Sequence, residues 1–250
     1  MNRIALIPIK GVVISEKSPL ATMGITSSAD IIPLLAEVGK KREMKALVLE
    51  INSPGGTPFA CKEIASALRA VEKPKVAWVR ELAASGGYWI ASAADLIVAD
   101  SLSTVGSVGV TSMRPDVSEL LKKLGIDMNV VATGTHKLFS TPFKPLTSDE
   151  KQQDKRWRQE EIELIQQSFL EEITKNRHLT DAVISEISSG KTYLGQQAKE
   201  MGLIDEFGGK DKALQLAAEK AGIKSYKVID YTKKLEKRRR SLLGRMLGFF

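Results

Sequence analysis

The hydrophobic positions of the chain fall into short apolar runs separated by amphipathic stretches. Five runs rich in branched aliphatic residues predict strands: RIALIPI, KALVLEI, KVAWV, DLIVAD and DMNVVAT, starting at Arg3, Lys45, Lys75, Asp95 and Asp127. Because these runs lack polar alternation, the strands should be covered on both faces. Apolar residues at helical spacing predict helices at 31–41, 58–71, 86–94 and 117–124. Strands that alternate with helices predict an α/β core with a parallel sheet over residues 1 to about 135.

The pattern changes after the proline-containing stretch TPFKPLT at residues 141–147. Thr147 and Glu150 match a capping box at the start of a long helix. Shorter helical stretches follow, separated by glycines, so residues 147 to about 222 predict a helical cover on the core. We therefore predict one domain over residues 1–230, followed by a basic amphipathic tail over residues 231–250.

Composition and charge narrow the classes of protein. The chain has 250 residues, of which 43% are hydrophobic and 27% charged, as in an ordinary globular protein. Residues 233–245 contribute +6 of the net charge of +7, so the rest is nearly neutral and no nucleic-acid partner is expected. Cys61 is the single cysteine, which excludes an internal disulfide and a metal site built on several cysteines.

The sequence also bears on membranes. No uncharged stretch approaches the roughly 20 residues that a spanning helix needs, and the N-terminal MNRIALIPIKGVVIS reads as a strand rather than a signal peptide. As given, the chain is expected to be soluble. The tail segment from Lys233 to Phe250 has apolar residues near one helical side, which predicts a peripheral contact with anionic lipid or a disordered end. A third possibility is that the tail is itself cut or occupies the groove of a neighbouring subunit.

Two strand-to-helix junctions could carry chemistry. At INSPGG, residues 51–56, backbone N–H groups and a helix N-terminus could bind an anion or an oxyanion, although a plain turn would have the same sequence. At AASGGYWIA, residues 83–91, Ser85 precedes two glycines and could be a nucleophile with the Gly86 N–H as its donor. The same small residues also suit tight packing, so both interpretations of Ser85 stay open.

A serine nucleophile needs a base, and three residues are candidates. His178 follows the long helix among polar residues and is expected at the surface, whereas His136 and Lys137 are adjacent, and the spacing does not choose between them. A lysine base would require its pKa to fall by roughly 2 to 3 from about 10.4, a cost of about 3 to 4 kcal/mol that burial can supply. Leu138, Phe139, Pro142 and Phe143 offer apolar surroundings for such burial.

Five motifs together resemble the signal peptide peptidase A family of serine-lysine peptidases. They are INSPGG at 51–56, AASGGYWIA at 83–91, TVGSVGV at 104–110, TGTHK at 133–137 and SGKTYLGQQAKEMGLIDEFGG at 189–209. They occur in the family's order and extend over most of the chain. The resemblance implies a Clp/crotonase-like fold, with repeated β-β-α units, a parallel sheet and a C-terminal helical cover.

The resemblance also implies roles for individual residues. Ser85 corresponds to the nucleophile, Lys137 to the general base and Ser107 to the serine that orients the lysine amine; the N–H groups of Gly56 and Gly86 correspond to the oxyanion hole. No metal or cofactor is implied. The implied substrates are hydrophobic peptides such as signal-peptide remnants, and the implied assembly is a homo-oligomeric ring.

Some properties of the family are not matched, and other functions remain. Membrane-bound members carry an N-terminal anchor that the sequence as given lacks, so neither their location nor the side of the membrane transfers directly. One alternative is a stomatin-type protease that acts on membrane proteins with the same Ser-Lys pair. Others are a crotonase-like acyl-CoA enzyme, which would leave the set of Ser85, Ser107 and Lys137 without a role, and a non-catalytic ring scaffold.

Overall fold

A computed structural model describes residues 1–16, 24–134 and 136–237. The strands are β1 Arg3–Lys10, β2 Val12–Ile14, β3 Ile25–Ser27, β4 Met44–Ser53, β5 Lys75–Ala84, β6 Leu96–Ala99, β7 Thr104–Gly106, β8 Thr192–Leu194, β9 Glu206–Phe207 and β10 Lys227–Asp230. The helices are α1 Ser28–Lys40, α2 Pro58–Arg69, α3 Gly86–Ser92, α4 Ser118–Lys123, α5 Ser148–Arg177, α6 Asp181–Ile187, α7 Gly195–Glu200 and α8 Lys210–Lys220.

The contacts group the chain into two compact units. Unit 1 comprises residues 1–109 and 169–250, and unit 2 comprises residues 110–168. The predicted single domain over 1–230, with its core and helical cover, stays a prediction. Most of the predicted tail, residues 238–250, lies outside the described residues; before it, Leu235 is buried and Lys234 pairs with Glu37 of α1 at 2.5 Å.

A mostly parallel sheet forms the centre of unit 1. Its strands lie in the order β10-β1-β4-β5-β6-β9, all parallel, and β7 continues beside the end of β5. Strand β8 pairs with β7 and is the antiparallel member of this sheet. This mixed α/β arrangement with a mostly parallel sheet is the one expected from the sequence, and β5, which lies between β4 and β6, pairs at its end with β7.

Both faces of the sheet are covered, as the apolar runs predict. Alternate side chains of one strand enter opposite cores: Ala5, Ile7 and Ile9 belong to the core that includes α1, α2 and α3, whereas Ile4 and Leu6 face the core built with α8. Four of the five predicted strands are confirmed.

The fifth predicted strand, DMNVVAT at 127–133, is wrong. These residues form no strand in the structure, and every side chain in the segment is exposed. The apolar side chains of this segment therefore pack against no other part of unit 2 within the described residues.

The predicted start of the long helix is confirmed. The Thr147 N–H donates to Glu150 Oε2 at 2.8 Å, and the Glu150 N–H donates to Thr147 Oγ1 at 3.2 Å. This reciprocal capping box satisfies two backbone donors at the N-terminus of α5. None of the helices in the described residues is both long enough and apolar enough to span a bilayer.

Candidate active site

Ser85 occupies a strained turn between β5 and α3. Its backbone has φ 51° and ψ −126°, a conformation that costs a non-glycine residue of order 1 to 3 kcal/mol. The turn is held from both sides, because the Ser85 N–H donates to the Gly106 carbonyl at 2.8 Å and the Ser85 carbonyl accepts from Tyr88 and Trp89 at 2.9 and 3.0 Å. The side chain is half-buried. A strained strand-to-helix turn is the geometry that presents a nucleophilic serine.

The Gly55-Gly56 loop packs directly against this turn. A Cβ added to Gly55 would lie 2.6 Å from the Gly86 nitrogen and 3.0 Å from Ser85 Cβ, and Gly55 also has φ +95°. The loop is held by buried Ser53, whose Oγ donates to the Gly11 carbonyl at 2.6 Å and accepts from the Gly55 N–H at 3.0 Å. Gly55 and Ser53 therefore shape the site, although in this motif the resemblance implies a role only for Gly56.

The hydrogen bonds on either side of Gly56 orient its N–H so that it can donate to a substrate oxyanion. The Thr57 N–H donates to the Val13 carbonyl and the Val13 N–H donates to the Gly55 carbonyl, both at 2.8 Å. In such a parallel bridge the N–H of the middle residue points away from its partner strand. Among the described residues neither Gly56 nor Gly86 uses its N–H in a backbone hydrogen bond. The oxyanion role of these two N–H groups remains a prediction.

Ser107 lies beside Ser85 in the same unit. Ala84 pairs with Gly106 across β5 and β7, so the two serines follow paired residues. Ser107 also has a positive φ of 54°, and its N–H donates to the Lys191 carbonyl at 2.7 Å. The structure thus brings together four of the five predicted site residues.

The fifth, Lys137, belongs to unit 2 together with His136. Both side chains are exposed in a turn where the Lys137 N–H donates to the Gly134 carbonyl at 3.2 Å. Phe139 is buried, and Arg114 fixes this part of the chain through the carbonyls of Phe139 and Thr141. The turn directs Phe139 inward and leaves Lys137 outside, so the expected burial of Lys137 is absent. The role of Lys137 stays a prediction.

His178 is exposed directly after α5, as the sequence predicts. No group of three or more histidine, cysteine or acidic side chains in the described ranges is placed to hold a metal ion.

Comparison with known families decides the affiliation. The model of peptidase family S49 matches residues 67–224. The chain belongs to peptidase family S49. A Clp protease model also matches residues 20–98, in agreement with the fold.

Relatives of this S49 chain include Protease 4 of Haemophilus influenzae, 35% identical over 86% of the chain, and the chloroplastic serine protease SPPA of Arabidopsis thaliana, 32% identical over 89%. The chain spans 34% and 33% of their lengths. A solved structure of a 1510-N membrane-bound stomatin-specific protease mutant matches with a TM-score of 0.54 and 13% identity, covering 92% of this chain and 97% of that one. That likeness shows the fold alone.

Helix α3, which follows Ser85, is anchored by side-chain contacts that no local sequence pattern predicts. All seven of its residues are buried, and Trp89 stacks on Phe169 with 4.3 Å between ring centroids. Trp89 Nε1 and Arg69 both donate to Glu172 Oε2, at 2.9 and 2.6 Å. Burial opposes ionisation of Glu172, but these hydrogen bonds outweigh it and hold its pKa below the usual value. The anchoring fixes the helix whose first turn carries Gly86.

Cys61 packs beneath that first turn. A Cβ on Gly86 would lie 2.2 Å from Cys61 Sγ, which is why only glycine fits there. Cys61 is fully buried, and desolvation raises the pKa of its thiol to about 12. The thiol stays protonated near neutral pH, so Cys61 serves packing rather than nucleophilic chemistry.

We expect Gly86→Ala to destabilise the fold by about 1 to 3 kcal/mol, because the new methyl overlaps the Cys61 sulfur. Adding Cys61→Ala should recover part of the loss, which chemical denaturation of the four variants in a double-mutant cycle would measure. Gly39→Ala is the control, since a Cβ there meets nothing within 4 Å. Equal losses with and without the Cys61 sulfur would contradict the packing argument.

Tyr193 of β8 packs against Gly106, the residue before Ser107. A Cβ on Gly106 would lie 3.0 Å from the Tyr193 ring, and the Tyr193 hydroxyl is 3.2 Å from the Glu186 carbonyl. We expect Tyr193→Ala to lower kcat for peptide cleavage roughly 10- to 100-fold with little change in KM, because Gly106 loses its support. Tyr193→Phe keeps the ring and should retain most activity. A rise in KM alone would argue against a positioning role.

Proposed function

We propose that this S49 chain is a serine endopeptidase with Ser85 as nucleophile and Lys137 as general base. The observation that carries the proposal is the strained conformation of Ser85, with Gly55 packed against its Cβ and the N–H of Gly86 directly after it. Membership in a peptidase family and the position of Lys137 in the motif TGTHK support the assignment of the base.

The proposed reaction has two steps. Neutral Lys137 accepts the proton of Ser85 Oγ as this oxygen attacks the peptide carbonyl carbon, and the negative oxygen that forms accepts hydrogen bonds from the N–H groups of Gly56 and Gly86. The C–N bond then breaks, the Lys137 ammonium protonates the departing amine, and an acyl ester remains on Ser85. Water attacks this ester while Lys137 takes its proton, and the Ser85 oxygen leaves and regains a proton.

The proposed substrates are hydrophobic peptides such as signal-peptide remnants. An assay with matched synthetic peptides would test this: a signal-peptide core, the same length with charged residues replacing alternate leucines, and an apolar segment from a stomatin. We expect cleavage of the signal-peptide core and little cleavage of the charged peptide. Selective cleavage of the stomatin segment would favour the membrane-protein-directed alternative.

A serine-directed phosphonate probe separates the remaining alternatives. We expect one phosphonyl group on Ser85, with the mass of the probe less its leaving group and the displaced proton, found by mass spectrometry of the digested protein, and none on Ser85→Ala. Turnover of an acyl-CoA without peptide cleavage would instead indicate a crotonase-like enzyme, and the absence of both activities and of labelling would indicate a scaffold.

The lipid contact predicted for Lys233 to Phe250 remains a prediction, testable by vesicle co-sedimentation with and without those residues.

A further inference from the structure

A short part of the motif at 189–209, the GLID segment at 202–205, takes no part in the proposed peptidase reaction. It contacts α3, because the Tyr88 hydroxyl donates to the Leu203 carbonyl at 2.9 Å. Tyr88 and Leu203 are both fully buried, so the bond joins two polar groups that water does not reach. A buried carbonyl that loses its donor is destabilising, and the contact therefore depends on the hydroxyl of the tyrosine and not on its ring alone.

An ion pair fixes the GLID segment in place. Arg177 donates to both carboxylate oxygens of Asp205, at 2.8 and 2.9 Å, and to the Gly202 carbonyl at 3.0 Å. Asp205 is bound to β6 in turn, because its carboxylate accepts from the Ile97 N–H at 2.6 Å and its own N–H donates to the Ile97 carbonyl at 2.9 Å. The Arg177 side chain is only 7% exposed, and a two-pronged contact of this kind holds its partner in one orientation. The Leu203 carbonyl is therefore presented to α3 from a fixed place beside β6.

The groups of this network keep their protonation states near neutral pH. Burial opposes the charge of Arg177, but its hydrogen bonds with Asp205 outweigh that effect and hold the pKa of Arg177 above its usual value. Burial raises the pKa of the Tyr88 phenol well above its ordinary range, so the hydroxyl stays a donor. The network is thus a permanent support for α3 and not a titrating switch.

Tyr88 also bonds directly to the turn of Ser85. Its backbone N–H donates to the Ser85 carbonyl at 2.9 Å, while the Ser85 backbone is held at φ 51°. A strained conformation persists only where the surrounding structure holds it. Helix α3 has seven residues, too few to be stable without tertiary contacts. The place of its first turn therefore depends on its anchors, and Tyr88 joins one of them to the turn through a single residue.

We propose that Tyr88 is a positioning residue for Ser85 and acts through the GLID segment and its Arg177–Asp205 ion pair. The Tyr88 backbone holds the Ser85 carbonyl, and the Tyr88 hydroxyl ties the same residue to the GLID segment. Loss of this tie lets the first turn of α3 shift, which displaces Ser85 Oγ and the Gly86 N–H together. The inference rests on the proposed peptidase function and gives the motif at 189–209 a part in it.

The variant Tyr88→Phe tests the tie, because it removes the hydroxyl and keeps the ring. We expect kcat for peptide cleavage to fall roughly 10-fold with KM within about twofold of the parent, and phosphonate labelling of Ser85 to slow by a similar factor. Rates are referred to the folded fraction measured by circular dichroism. Tyr231→Phe is the matched control and should react as the parent does, because Tyr231 is also buried but follows β10, three strands from β5.

A double-mutant cycle tests whether the ion pair acts through Tyr88. Asp205→Asn keeps the shape of the side chain and removes its charge, so we expect a smaller loss of kcat than in Tyr88→Phe. The double variant should lose no more than Tyr88→Phe alone, because both changes act on the same carbonyl. Losses that multiply would overturn the role of the ion pair.

The parent separates this inference from the proposed function. An active parent together with a Tyr88→Phe variant that has a lower thermal midpoint but unchanged kcat and labelling rate would overturn the positioning role alone. A parent that neither cleaves peptides nor reacts with the phosphonate at Ser85 would overturn the proposed function and the positioning role with it.

Discussion

Replacing Ser85 by alanine is expected to lower peptide cleavage by at least about 1,000-fold, because no oxygen remains to form the acyl ester. The substitution keeps a Cβ on a backbone with φ 51°, so it neither adds nor relieves the strain of the turn. The hydrogen bonds that hold the turn all come from the backbone and remain in place. The rate of hydrolysis of a fluorogenic hydrophobic peptide measures the effect.

The control for Ser85→Ala is a serine outside the site. Ser101 is exposed after β6, and Ser101→Ala should leave the rate at the parent level. The thermal midpoints of the parent and both variants should agree, which separates loss of chemistry from loss of fold. Residual activity of Ser85→Ala above a tenth of the parent would assign the nucleophile elsewhere.

Replacing Lys137 by alanine should cost a similar factor, since the proton of Ser85 then has no acceptor. Lys137→Arg should be equally inactive, because a guanidinium stays protonated and cannot serve as a base. Position 137 is exposed, so both variants should fold as the parent does. Parallel rate measurements on the two variants test the assignment.

His136→Ala is the matched control, because His136 is adjacent, exposed and equally able in principle to accept a proton. We expect His136→Ala to keep most of the activity. Its ring rests edge-on against Phe139 at 4.9 Å, a contact whose loss affects unit 2 only slightly. Loss of activity with His136→Ala alone would overturn the assignment of lysine as the base.

Local sequence patterns predict much of the sheet and the two strand-to-helix junctions of the candidate site. Runs such as KALVLEI carry apolar residues on both faces of the strand. A strand of this kind is stable only when both faces are covered, so the run predicts the buried position of β4 in a parallel sheet. The capping box of Thr147 and Glu150 was equally readable, since it depends on a spacing of three residues. Contacts such as Trp89 on Phe169 join residues 80 positions apart, and no local pattern encodes them.

The sequence by itself determined the α/β class, four central strands and the pairing of a serine with glycine-rich junctions, because these depend on side-chain period and backbone freedom over a few residues. Only the tertiary structure decided that Gly55 and Cys61 enclose the turn of Ser85, since chain segments distant in sequence meet there. The tertiary structure also decided the state of DMNVVAT. A period of two gives a segment the capacity to be a strand, but a strand forms only where a second backbone completes its hydrogen bonds, and the single chain places none beside it.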